Sequence, residues 1–387
     1  MSWRLHPGIT GIHPRTRHLG CTRSVQVEAD PMTSDEPEDH SGADTYGRPE
    51  QTSGRRRHRR HIDDQFPDPS ASMVLHRVLA MSARTFLLND MDGEFEDRPR
   101  PPGAIDELSL SMGTRPLWAQ STAVSLQGTG RRDDPVERVH QSRVAMRRIR
   151  ANLRSFRLLL DPAWGTSLRA ELGWYGNVLG RSRDLDLLAE VIGARGPEVL
   201  DPGEVARLLA VVDWRRGAVA DDIATERAGP RRLHLTEQMM HLWDGPAFKV
   251  NASEPATEVL PVMLHRAWHD LRGVARRARK DPSDLNLHKL RIRLKDLRYG
   301  AETVALVEGA PARKTARAAE QLQGKLGDLH DVVFSIAWLE ALGGEQPDLA
   351  DAAERLAVLQ RDTAVDVRDG WRRDLKDVER RWRAWQG

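Results

Sequence analysis

Two stretches of this chain align without a gap 148 positions apart, VHQSRVAMRRIR (Val139–Arg150) and LHKLRIRLKDLR (Leu287–Arg298). His140 falls on His288, Arg143 on Arg291, Arg147 on Lys295 and Arg150 on Arg298. A second pair follows in the same order, 147 positions apart: VLGRSRDLDLL (Val178–Leu188) and KLGDLHDVVFS (Lys325–Ser335). There Leu179-Gly180 meets Leu326-Gly327, Arg183 meets His330 and Asp184 meets Asp331. A fold for this chain has to place one design twice, so the body is expected to be two related halves, residues 105–245 and 255–387.

The repeated segments have helical periodicity. His140, Arg143, Arg147, Arg150 and Arg154 share a strip roughly 80° wide on a helical wheel, about 20 Å long at ~1.5 Å per residue. The apolar residues Val139, Met146, Ile149, Leu153, Phe156 and Leu160 occupy the adjoining face. The second half repeats this with His288, Arg291, Lys295 and Arg298 beside Leu287, Leu290, Leu294, Leu297, Ala301 and Val304. Only Arg154 lacks a basic counterpart, because Glu302 stands there.

Seven arginines and no acid lie between Arg138 and Leu160, and like charges one helical turn apart repel by some tenths of a kcal/mol per pair. One such helix reads as a solvated face; the same pattern twice, histidine included, implies an absent partner that is anionic, extended and multiply charged. Histidines at equivalent places beside the cations suit donation to phosphate oxygens. In the second signature Gly180 and Gly327 allow close helix approach, and Arg181, Arg183, Lys325 and His330 add basic groups. Asp184 and Asp331 have two open readings: orienting or neutralising basic neighbours so that Arg183 and His330 face ligand, or serving as helix caps or bundle ion pairs.

Composition sets limits. Net charge is +2, with Lys+Arg 59 against Asp+Glu 57, so basic function must be local. The single cysteine, Cys21, excludes an intrachain disulfide and fits a reducing compartment. No apolar run is long enough to span a bilayer, and the amino terminus lacks a signal-peptide core, so the expected location is cytoplasmic with no membrane partner. Residues 1–104, rich in Pro, Gly, Ser and charge, read as a mostly disordered tail containing the cationic run Gly54–His61 and one helix near 73–90. Beyond about 105, segments dense in Leu, Ala, Arg and Glu broken at DPAWG (161–165), RGPEVLDPG (195–203) and DGPAF (244–248) predict an all-α body.

HxxRVxxRRxR with LGRSRDLD, then LHKLRIRLKDLRY with LGDLHD, resemble the CHAD family, the conserved histidine α-helical domain, over residues 105–387. The resemblance implies two pseudo-twofold-related four-helix bundles whose basic residues line a central surface that binds inorganic polyphosphate. It implies a non-catalytic binding and targeting module without cofactor, associated with polyphosphate granules. Carried over, the ligand-facing residues are His140, Arg143, Arg147, Arg150, His288, Arg291, Lys295 and Arg298, with Arg183 and His330, and with Arg154 and Lys325 added from the basic strips. The first helix of the first half, near 105–128, is weakly marked.

Two other functions compete. Nucleic acid is a phosphate polymer too, but no aromatic interrupts the basic rows before Phe156 and Tyr299, so stacking platforms are lacking. A phosphohydrolase or phosphotransferase would need clustered metal ligands or a Gly-rich phosphate cradle, and neither is evident, although His140, His288 and His330 converging on a metal would supply one. Arginine neighbours are expected to depress imidazole protonation and a bound polyanion to favour it, so binding is expected to strengthen as pH falls.

Overall fold

Local chemistry sets the helix boundaries. The Asp161 carboxylate accepts from the Trp164 amide at 2.8 Å with Pro162 in the first turn, and Asp201 forms a reciprocal capping box with Glu204, both bonds 2.9 Å. DPAWG and RGPEVLDPG therefore start helices, as expected. DGPAF ends one at Asp244, before Gly245 at φ +120°. A tighter reversal at Gly309, φ +70°, needs a residue without Cβ.

The computed structural model describes residues 69–90 and 135–386, apart from 247 and 369. Its helices are α1 Ala71–Asp90, α2 Pro135–Ser155, α3 Pro162–Arg195, α4 Pro202–Ala228, α5 Pro230–Asp244, α6 Ala256–Lys280, α7 Asp284–Glu308, α8 Ala310–Glu345, α9 Ala350–Arg368 and α10 Trp371–Gln386. Among the described residues β-pairing is limited to the isolated bridges Ser70–Pro255 and Leu160–Phe248, and no helix is long and apolar enough to cross a membrane.

The protein is all-α, and its helices close two rings of four. The first is α1, α2, α3 and α5; the second is α6, α7, α8 and α10, where Trp268 stacks on Trp382 at 4.8 Å. α4 and α9 lie along the later turns of α3 and α8, held by Arg216–Asp186 at 3.0 Å and Arg361–Glu340 at 2.6 Å. The apolar stripes of α2 and α7 are where periodicity puts them: Met146, Ile149, Leu153 and Phe156, and Leu287, Leu290, Leu294 and Leu297, are all buried in one shared cluster.

The helix expected near 73–90 is present as α1, and it is no appendage. Val74, Leu75, Leu79, Phe86 and Leu87 are fully buried in the same cluster as α2 and α5. The Asp90 carboxylate accepts from Tyr175 Oη at 2.7 Å and from Arg232 at 2.7 Å, while Arg227 and Arg138 cap the last carbonyls of the helix. The packed body thus begins at α1 and not near residue 105. The other tail readings, including the Gly54–His61 run and a first helix near 105–128, lie outside the described residues.

The two helices that carry the basic rows pack directly on each other. Across their contact Arg148 pairs with Glu302 at 3.0 Å and Arg154 with Asp296 at 2.8 Å, and Thr303 Oγ1 donates to Asn152 Oδ1 at 2.8 Å. Gly300 makes room for Leu264 of α6, whose Cδ1 would lie 2.5 Å from a Cβ there, and meets Ser155 of α2 at ordinary contact distance. Residue 296 is the repeat counterpart of 148, and 302 that of 154, so the two ion pairs exchange places and reverse polarity. The halves meet again at a distance, where Arg215 of α4 pairs with Glu345 of α8 at 2.6 Å and Arg355 of α9 pairs with Glu204 of α4.

Candidate functional site

Because the apolar stripe of each basic helix faces its own ring, the adjoining cationic strips are carried to the seam between the halves. Antiparallel packing of α2 on α3 places Arg143 against Gly180, where a Cβ would sit 3.7 Å from Nη2, and Arg150 against Gly173, where it would sit 3.3 Å from Nη2. In the second half Arg291 lies against Gly327, with 3.5 Å between a built Cβ and Nε. The repeated Leu-Gly pair therefore makes room for a guanidinium on the neighbouring helix. Gly173 carries no mark in the repeat, because Glu320 stands at its counterpart; its only signal is a two-turn spacing from Gly180 that matches the spacing of Arg143 and Arg150.

That difference decides which cations are neutralised. Arg298, opposite Glu320, is held by Glu320 at 2.6 Å and Glu302 at 3.0 Å and bonds Gln323 at 3.3 Å. Three residues read as ligand-facing have carboxylate partners: Arg298 is held by two carboxylates, Arg154 pairs with Asp296 across the interface, and Lys325 is paired with Asp374 of α10. Their partners come from elsewhere in the chain, which a helical wheel cannot show.

The remaining residues converge from both halves. Lys295 is pushed well below the usual ammonium range by burial, and then by Arg291 of its own helix and Arg147, Arg143 and Arg150 of α2. Arg143 is lowered to about 10 by burial and Arg147, opposed by Asp184 and Asp331. Arg291 and Arg150 are lowered by burial as well, Arg291 feeling Arg147 from the other half. Arg183 adds positive charge beside His140 and Arg143. Among the described residues Arg143, Arg147, Arg150, Arg183, Arg291 and Lys295 make no ion pair with a carboxylate, and the buried Nε atoms of Arg150 and Arg291 have no acceptor. Such groups cost the folded state about 1–3 kcal/mol each.

Of the readings left open for the two aspartates, the cap is excluded, and neutralisation of basic neighbours fits their surroundings. Both lie in mid-helix, on α3 and α8, so neither is a cap. Asp331 is raised by its burial and feels Arg291 of its own half and Arg183 and Arg143 of the other; Asp184 faces Arg143. Few carboxylates therefore sit within the reach of many cations.

His288 and His330 stack at 4.8 Å between centroids, tilted by 42°. Burial, then Arg291 and Lys295, bring His288 down to about 4. Burial, then Arg291, His288 and Lys295, bring His330 down to about 3. His140 does not join them. It is largely exposed near the start of α2, and is lowered by the partial burial of its ring and by Arg147, with Glu137 opposing. No group of three or more His, Cys, Asp or Glu side chains is placed to hold a metal among the described residues.

An uncharacterized protein of Mycobacterium tuberculosis, MT2285, is 29% identical over 268 residues, spanning 63% of this chain and 46% of that protein, so the chain covers about half of that relative. Two solved structures share the fold. The CHAD domain from the plant Ricinus communis has a TM-score of 0.56 at 20% identity, covering 81% of this chain and 92% of that one. PptA from Streptomyces chartreusis has a TM-score of 0.53 at 19% identity, covering 81% and 99%. The CHAD domain family model matches residues 119–340, more than half of the chain and every member of the cluster from His140 to Asp331, and the chain belongs to the CHAD family.

Proposed function

We propose that this protein binds inorganic polyphosphate at the seam between its halves and performs no chemistry on it. The observation that carries the reading is Lys295, half-buried among Arg143, Arg147, Arg150 and Arg291 from two helices, none of which is matched by a carboxylate ion pair among the described residues. Apposing so many cations raises the free energy of the protein, and a multiply charged anion lowers it through charge-assisted hydrogen bonds and release of counterions. The bound anion would also return Lys295 and the two inner histidines toward their protonated forms, so binding takes up protons and strengthens as pH falls.

Nucleic acid fits the site less well. Tyr299 is 3% exposed and lies under Arg148 and Arg298, at 5.3 and 5.1 Å, while Phe156 is fully buried, so neither offers a face to a base. Association with polyphosphate granules in the cytoplasm would follow from the affinity alone. The test is a titration of the full chain with long-chain polyphosphate at two salt concentrations, with single-stranded RNA of equal charge as competitor and released phosphate monitored in parallel. Tight binding at low salt, steep weakening with salt, poor competition by RNA and no released phosphate are expected; no binding at low salt overturns the reading.

A further inference from the structure

A further row of basic side chains lies outside the seam. On α6 Arg266, His269, Arg276, Arg277 and Lys280 are all exposed, and they share a strip about 100° wide and about 21 Å long at ~1.5 Å per residue. None of them makes an ion pair or a side-chain hydrogen bond among the described residues. Elsewhere arginines pair within their own helix, as Arg355 does with Asp351 at 3.0 Å and Arg216 with Asp213 at 2.9 Å. Asp270 stands one turn beyond Arg266 and leaves it unpaired. Attraction to the carboxyl end of the helix accounts for Arg277 and Lys280 in the last turn, but not for Arg266 or Arg276.

The near end of this row reaches the cationic strip of α2. An open cleft of about 250 Å³ between α2, α6 and α7 is lined by Arg154, Arg157, Arg266 and Arg293 with Asp270 and Asp296. Arg154 stands one turn beyond Arg150 on the α2 strip. It and Arg293 share one Asp296 oxygen, at 2.8 and 3.4 Å, while Arg157 and Arg266 have no ion pair, so the cleft keeps an excess of positive charge. Its volume falls below the ~300–1,000 Å³ of an enclosed small-molecule pocket, which suits a strand lying across it better than a molecule held inside. In the second half the place of Arg154 is taken by Glu302, which holds Arg298 at 3.0 Å. Cations therefore continue out of the seam from α2 and not from its repeat.

We propose that long polyphosphate chains leave the seam past Arg154, cross this cleft and lie along the basic row of α6, so that the row selects for chain length. The inference rests on the polyphosphate reading of the seam and adds a second contact zone to it, one that a short chain held in the seam does not reach. Arg266→Gln combined with Arg276→Gln tests it, with a helical spectrum and a thermal melt to verify the fold. Tripolyphosphate and long-chain polyphosphate are titrated into the full chain and the variant at several salt concentrations. For the long chain the variant binds severalfold more weakly and the slope of log affinity against log salt drops by about 2; tripolyphosphate binds both proteins alike. Arg207→Glu, the same change in net charge at an exposed place on α4, leaves both ligands as they were. Long-chain binding that is unchanged in the double variant, or weakened as much for tripolyphosphate or by Arg207→Glu, overturns the inference while the reading of the seam stands. If the native chain binds neither ligand at low salt, the reading of the seam itself falls.

Discussion

At the scale of single residues, glycine opposite arginine separates a waiting cation from a satisfied one. Gly173 faces Arg150, while at the matching place Glu320 closes on Arg298. Gly173→Glu is therefore expected to turn Arg150 into a second Arg298: polyphosphate binding weakens and the slope of log affinity against log salt drops by about 1, while the melting temperature rises. A titration at several salt concentrations beside a thermal melt reads both. His288 and His330 give a second expectation, its sign fixed by depressed folded-state values against 6.5 in the unfolded chain. The stability they allow is complete above pH 6.5 and is lost as pH falls through about 4 and about 3, because the unfolded chain takes up protons first. Melting between pH 7 and 4 should show the loss, His330→Gln should flatten it, and added polyphosphate should oppose it. The repeat made these residues legible as candidates; which of them stay charged and unmatched was not, because Glu320, Asp296 and Asp374 reach them from other helices.

At the scale of elements, the α2–α7 contact depends on two ion pairs of opposite polarity. Glu302 serves Arg148 and Arg298 together, and its side chain is 9% exposed. Glu302→Gln should destabilise the protein by about 3–5 kcal/mol in urea unfolding, because Arg148 loses this carboxylate in a buried place and Arg298 is left with Glu320. Glu302→Gln combined with Arg148→Met should recover part of that. The apolar stripes of α2 and α7 were plain in the sequence because each repeats at helical spacing. α1 was visible as a helix but not as part of the body, since a long apolar-poor stretch separates it from α2 and nothing local reveals that Phe86 or Leu79 ends at 0% exposure. A fragment beginning at residue 105 should accordingly unfold or aggregate, whereas one beginning at residue 69 melts cooperatively; circular dichroism of the two fragments decides it.

At the scale of the whole molecule, a net charge of +2 conceals a segregated distribution. Away from the seam, helices neutralise arginines in pairs such as Arg231–Glu171 and Arg279–Glu379, while among the described residues the seam collects several cations with no ion-pairing carboxylate. Total charge could not show this, since it depends on which carboxylates fold toward which helix. Because the seam draws its charge from both halves, repulsion between its cations pushes α2 and α7 apart, resisted by Arg148–Glu302, Arg154–Asp296 and the shared apolar cluster. On the proposed reading, a polyanion that spans the seam would act as a clamp. Amide hydrogen exchange along α2 and α7 should slow markedly on its arrival and that of surface helix α9 should not, so that a strand of phosphates contributes mechanical cohesion to the protein that holds it.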